Sequence, residues 1–230
     1  MNKKFFTVLL AVVLTSASNA QAQFNFGLRA GFNLSRLSEK FEYQTNNFNK
    51  FKPGYQIGVV SEYAISGTFA IQPGILFVTQ GGRYKNYFFR TTHPEWQTWD
   101  AIRLINYLQI PINILYKLDL GGAKLILQTG FYHAFAISGK IYGKNDPMGL
   151  DDSEMKIKFG YNVEDGGIRP IDFGLGLGAG MQFSHTQVGL SYNFGLTNLS
   201  TQQKSMKHSF KNDVLTVTVT YLFGKKHQEK

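Results

Sequence analysis

From residue 24 onward the chain alternates between apolar and small or polar residues with a period of two. Phe24, Phe26, Leu28, Ala30, Phe32 and Leu34 take the even positions, with Asn25, Gly27, Arg29, Gly31, Asn33 and Ser35 between them. Successive side chains of a strand point to opposite faces, so this alternation predicts a strand with one apolar face. The pattern returns over 55–65, 69–80, 103–117, 124–138, 187–196 and 215–223. It is cleanest over 171–183, where Ile171, Phe173, Leu175, Leu177, Ala179, Met181 and Phe183 are separated by Asp172, Gly174, Gly176, Gly178, Gly180 and Gln182. That makes eight strands and no segment of helical period. Residues 173–203 carry no formal charge, yet glycine at every second position excludes a membrane helix there.

The links between these strands alternate in length. Ser66-Gly67, Asp119 to Gly122 and Ser184 to Thr186 are tight, whereas 37–52, 83–101, 139–167 and 197–211 are long. Short turns on one rim and long loops on the other describe an eight-stranded antiparallel up-and-down β-barrel of the transmembrane type. A soluble lipocalin-like barrel has the same strand count and is the fold-level alternative. It would turn its apolar face inward and show water a face dense in Lys, Glu and Thr. Here the non-apolar face is mainly Gly, Gln, Asn, Ser and Ala, which suits a narrow lumen, while Leu, Ile and Phe suit lipid. Phe24, Tyr55, Phe69, Tyr116, Phe183, Tyr221 and Phe223 near strand ends fit aromatic girdles.

Composition narrows the setting. The 230 residues include 24 glycines, 20 phenylalanines, 12 tyrosines and no cysteine, so a disulfide framework and a cysteine–zinc site are excluded. Few charges and many aromatics argue against disorder. Lys3 and Lys4, an apolar run from Phe5 to Leu14 and the small residues up to Ala20-Gln21-Ala22 read as a secretory signal peptide over 1–22. The run is too short to span a bilayer as a helix. Residues 23–224 then form one barrel domain and 225–230 a polar periplasmic tail. Removal of Lys3 and Lys4 lowers the formal charge from +9 to +7. Export sets nucleic acid aside and turns that charge toward anionic lipid or glycan.

Several stretches resemble a known family. Asn106-Tyr107-Leu108-Gln109-Ile110-Pro111 is similar to the Tyr-Leu-Glu-Ile-Pro signature of the PorT-like outer-membrane β-barrel proteins of Bacteroidetes, with Gln109 where that family usually carries Glu. Phe26 to Asn33, Asp172 to Gly180 and Gly195 to Leu199 resemble its first and later strands. The resemblance implies an eight-stranded barrel in the cell outer membrane, in contact with outer-membrane lipid. The founding member is associated with protein secretion through the type IX system, so envelope or secretion proteins are the implied partners.

Candidate chemistry is sparse. An eight-stranded barrel is just wide enough for its own side chains, which disfavours a diffusion pore. The lumen-facing charges Arg29, Glu62, Arg103, Lys117, Lys124 and Asp172 form the most pointed constellation, expected to plug the barrel, because buried charges are costly unless paired. Arg29 and Glu62 are expected at similar depth on neighbouring strands, as a direct pair. Lys117 and Lys124 flank a turn and can reach water or headgroups instead. Pro111 lacks an amide donor and predicts a bulge or a break in its ladder.

Tyr84, Tyr87, Phe88, Trp96 and Trp99, placed in the long loop 83–101, form a candidate binding surface, since aromatics anchor interfaces. His133 and Ser138, on opposite faces by parity, do not make a nucleophile–base pair. Asp151, Asp152 and Glu154 lack EF-hand spacing. No catalytic, cofactor or metal site is expected. The expected function is a non-catalytic, monomeric outer-membrane barrel with a structural or binding role through its extracellular loops. A secretion accessory and an outer-membrane lipid-modifying enzyme are the alternatives.

Overall fold

The computed structural model describes residues 24–40, 49–89, 97–144, 154–162, 167–201 and 209–223. The strands are β1 (Phe24–Lys40), β2 (Asn49–Lys50), β3 (Lys52–Ala64), β4 (Phe69–Phe89), β5 (Gln97–Asp119), β6 (Lys124–Lys144), β7 (Glu154–Lys156), β8 (Ile171–Phe183), β9 (Thr186–Gly195) and β10 (Ser209–Leu222). Eight of them close a ring in the order β3-β1-β10-β9-β8-β6-β5-β4, every neighbour antiparallel. The short strands β2 and β7 attach to β4 and β6.

The ring is sheared. Following paired residues from Phe24 through Tyr63, Ile71, Ile114, Thr129, Leu177, Tyr192 and Leu215 returns to β1 at Leu34, ten residues further on. Closure with such a stagger tilts the strands, typically by about 35–45°, and leaves an interior that side chains fill. The tight turns, 65–68, 120–123 and Ser184–His185, lie on the same rim as the start of β1 and the end of β10. At one of them Gly121 sits at φ 88°, which favours glycine, and its amide donates to Asp119 Oδ1 at 2.7 Å.

The faces follow the alternation. Leu28, Phe32, Ile57, Val59, Ile75, Leu175, Leu177, Leu190, Val217 and Val219 all point outward and are roughly half exposed. A continuous apolar band of this kind is untenable in water and suits hydrocarbon. Arg29, Asn33, Gln56, Glu62, Gln72, Gln80, Gln109, Asp172, Asn212 and Thr216 are buried inside. This is the reverse of a soluble barrel. At the turn rim the aromatics pair across strands, with ring centroids 4.8 Å apart for Phe24–Tyr63 and 5.1 Å for Phe69–Tyr116.

Two features depart from the sequence reading. The strands outrun the alternation on the loop rim: most of the expected loop 83–101 is ladder, with Tyr84 opposite Ala101, Tyr87 opposite Trp99 and Phe89 opposite Gln97. Aromatic residues favour extended backbone, and above the lipid neither face needs to be apolar, so strand continues where alternation stops. Only 90–96 remains as the link between β4 and β5.

The second departure is a β-bulge in β6. Tyr107 pairs with Ala136 but Asn106 with Ser138, leaving Ile137 extra and inverting the parity beyond it. Ser138 is therefore exposed on the same outward face as His133, where it accepts from Asn106 Nδ2 at 2.8 Å. The break expected at Pro111 is present. Around Pro111 the β4–β5 ladder breaks between Pro73–Ile112 and Leu76–Gln109 and resumes in the same register, so the proline makes a gap and no bulge.

Candidate functional site

Two polar clusters and three apolar ones fill the interior, the largest apolar cluster lying at the loop rim. Nearest the turn rim, Glu62 on β3 is bound by Lys117 Nζ at 2.5 Å, by Gln187 Nε2 at 2.8 Å and by Gln72 Nε2 at 3.1 Å. Arg29 donates to the Gln72 side-chain oxygen and, through Nε, to Thr220 Oγ1 at 2.8 Å. Lys117 also donates to Gln182 Oε1 at 2.9 Å. Seven of the eight wall strands, all but β6, converge here on one carboxylate and two cations.

The expected direct pair between Arg29 and Glu62 is not formed. Arg29 lies opposite Gly58 and Glu62 opposite Asn25, four residues apart in register, so counting inward from strand ends misjudged their relative depth. The Gln72 amide spans the gap, accepting from Arg29 and donating to Glu62. Lys117, which could have turned to water, is the partner of Glu62. Lys124 is outside the lumen, half-exposed at the turn, with Nζ 3.8 Å from Asp119.

Above this network is a cavity of about 30 Å³, walled by Arg29, Gln56, Gln109, Asn113, Gln128 and Asn193 among others. It has room for one or two waters. Gly174 shapes its upper wall: a Cβ there would stand 2.5 Å from Tyr132 Cε1, so glycine lets that ring lie across the lumen. Tyr132 Oη donates to Asp172 Oδ2 at 3.2 Å, and Asn212 Nδ2 donates to the same oxygen at 2.8 Å and to Tyr107 Oη at 3.3 Å. Arg103 stands higher, its guanidinium 5.4 Å from the Phe210 ring centre. The six lumen charges thus separate into one network of three, one isolated carboxylate, one aromatic-stacked cation and one rim residue.

The loop rim is closed by a cluster that the sequence did not announce. Leu37, Ile105, Tyr107, Tyr132, Ile168, Leu199 and Phe210 are buried together, with Ile157 and Phe159 packed against them. Backbone bonds hold the connections in place: Ile157 N to Gly139 O at 2.9 Å, Arg169 N to Leu199 O at 2.9 Å and Leu199 N to Phe210 O at 3.0 Å. Gly139 leaves the space for Ile157 and Phe159, since a Cβ there would meet both within 3.0 Å. The signal was present as isolated apolar residues in segments read as loops, but without period there was nothing to place them.

The aromatic loop surface is only partly located. The backbones of Tyr84, Tyr87, Phe88 and Trp99 belong to β4 and β5, while their side chains, and all of Trp96, lie outside the described residues. Asp151 and Asp152 lie outside them too, and Glu154 is paired with Lys140 at 2.6 Å. His133 faces outward, stacked on Phe135 at 4.7 Å and edge-on to Phe173 at 6.3 Å. Ser184 Oγ and His185 Nδ1 are 2.9 Å apart, but these are neighbours in an exposed two-residue turn, with the imidazole against Tyr221 at 6.2 Å. Among the described residues no group of three or more His, Asp or Glu is placed to hold a metal ion.

A closed antiparallel ring with an apolar exterior, a packed polar interior and short turns on the rim of both chain ends defines an outer-membrane β-barrel. Residues 17–201 match the family described as outer membrane protein beta-barrel domain, and the chain belongs to that family. The match ends before β10, which the structure seats between β1 and β9 to complete the ring. No curated protein sequence matches the chain. Among solved structures it is similar to Ail, the attachment invasion locus protein of Yersinia pestis, at 13% identity and TM-score 0.42 over 87% of this chain and 99% of Ail. Neisserial surface protein A is similar at 14% identity and 0.41 over 85% and 96%. OprG of Pseudomonas aeruginosa is similar at 12% identity and 0.41 over 89% and 98%. Family membership and the general form of such barrels, short turns inside and long loops outside, make the short-turn rim periplasmic and the capped rim extracellular.

Proposed function

We propose that this chain is a non-catalytic, monomeric outer-membrane barrel that conducts nothing and binds through its extracellular surface. The observation that carries this reading is the filled lumen: a charged network below, a tyrosine–carboxyl cluster above and an apolar cap over the mouth. What the fold leaves accessible is the extension of β4, β5 and β6, each at least 21 residues long beside a β9 of 10. That raised edge carries the aromatic positions Tyr84, Tyr87, Phe88 and Trp99 and is joined at its tip by the link that includes Trp96.

The finer assignment, to the PorT-like barrels, rests on the resemblance of Asn106–Pro111. Tyr107, Gln109 and Pro111 of that stretch face the lumen, and Leu108 and Ile110 face lipid. Such a motif supports the barrel and favours no role in secretion. The test is co-purification of the tagged chain from native outer membranes, beside a variant in which residues 90–96 are replaced by a glycine–serine linker. The binding reading expects envelope components to be retained by the first and lost from the second. Equal retention by both would overturn a role for that edge.

A further inference from the structure

We propose that Asp172 carries a proton in the folded barrel at mildly acidic pH, where exposed aspartates are ionised, and forms a cyclic acid–amide pair with Asn212, a protonation site that holds the extracellular cap. Asp172 is fully buried one residue beyond the outward apolar run Phe173–Phe183, on the lumen face beneath the cap. Its Oδ2 is satisfied twice, by Asn212 Nδ2 at 2.8 Å and Tyr132 Oη at 3.2 Å. Its Oδ1 has no partner, and neither has Asn212 Oδ1, although both are buried. Both hydrogens of Asn212 Nδ2 are spent, one on Asp172 and one on Tyr107 Oη. The amide can only accept with the oxygen it has left.

Two unpartnered acceptors on adjoining groups that already share one hydrogen bond lack a single hydrogen. A proton on Asp172 Oδ1 supplies it, donating to Asn212 Oδ1 while Asn212 Nδ2 donates back to Oδ2. One proton thereby satisfies both orphan atoms and removes a buried charge, either of which is costly to leave as it stands.

The surroundings offer no cation in compensation, only a backbone hydrogen bond from Phe173. Among the described residues no guanidinium or ammonium bonds to Asp172. β5 presents Tyr107 and Arg103, the latter directed onto Phe210; β6 presents Tyr132; β1 presents Asn33 and Leu37. Asp213 of β10 points outward to Arg36 at 3.3 Å. Tyr107 and Tyr132 belong at once to this cluster and to the cap, so an ionised Asp172 would place an unmatched charge directly under Ile168, Leu199 and Phe210.

The sign of the pH effect follows. An unfolded aspartate ionises near pH 3.9, whereas the folded one keeps its proton, so above that pH the folded state binds more protons and this site's contribution falls as pH rises. The test is infrared spectroscopy of the full-length barrel with isotope-labelled aspartate at pH 5.5. A protonated-carboxyl carbonyl band that shifts in heavy water is expected, and it needs no variant. Aspartates with only ionised carboxylate bands would overturn the proposal. Asp172→Asn supplies the second readout, because an amide mimics the neutral acid. It should melt with the wild type near pH 4, where both carry a neutral group, and gain on it progressively as pH rises; a variant less stable by the same amount at every pH would overturn the proposal.

Discussion

Replacing Glu62 with methionine is expected to destabilise the folded barrel by about 3–5 kcal/mol, the usual cost of leaving a buried charge without its partner. Lys117 is only 9% exposed and has Gln182 as its other recorded acceptor, so it cannot recover the loss by turning to water without leaving its packing. Lys117→Met should cost less, since Glu62 keeps the amides of Gln72 and Gln187. The double variant should be less harmed than the sum of the two. Unfolding measured on a double-mutant cycle reads this as a coupling energy. The same cycle run on Arg29 and Glu62 should give a smaller coupling, because those two communicate only through Gln72. A larger coupling for Arg29 than for Lys117 would mean that the network is wired as a direct pair after all.

The second large effect lies on the other face. Leu177→Arg should cost about 2–4 kcal/mol and impair insertion, the range for a cation near the bilayer midplane. Leu177 is 57% exposed and sits between Thr129 of β6 and Tyr192 of β9, midway along β8. Leu177→Ser at the same site should be milder. Refolding yield into lipid vesicles separates them, and equal yields for Arg, Ser and the wild type would mean that the faces are inverted.

Strand number, antiparallel order, the short-turn rim and the face that meets lipid were all legible, because a period of two is a local property that each strand displays by itself. Register was not. It is set by pairing between segments, and a four-residue offset between Arg29 and Glu62 leaves no mark on either strand alone. The bulge at Ile137 is the same kind of feature: one extra residue inverted the face of Ser138 while the alternation on both sides of it stayed intact. The cap was illegible for another reason. Ile157, Phe159, Ile168 and Leu199 come from connections without period, and only the assembled mouth brings them together. Of the six expected lumen charges, parity placed all but Lys124 inside, but which cation answers Glu62 depended on four strands at once.

Conductance across a planar lipid bilayer tests the closed, filled barrel most directly. The purified chain, shown to be folded by its heat-modifiable mobility on a gel, should insert without producing stable conductance steps. The cavity of about 30 Å³ is bounded by Arg29 and Tyr132 among others, with the Glu62–Lys117 pair below it and the apolar cap above. Reproducible open-channel steps from the folded protein would contradict a filled lumen and return the charges inside it to a role in permeation.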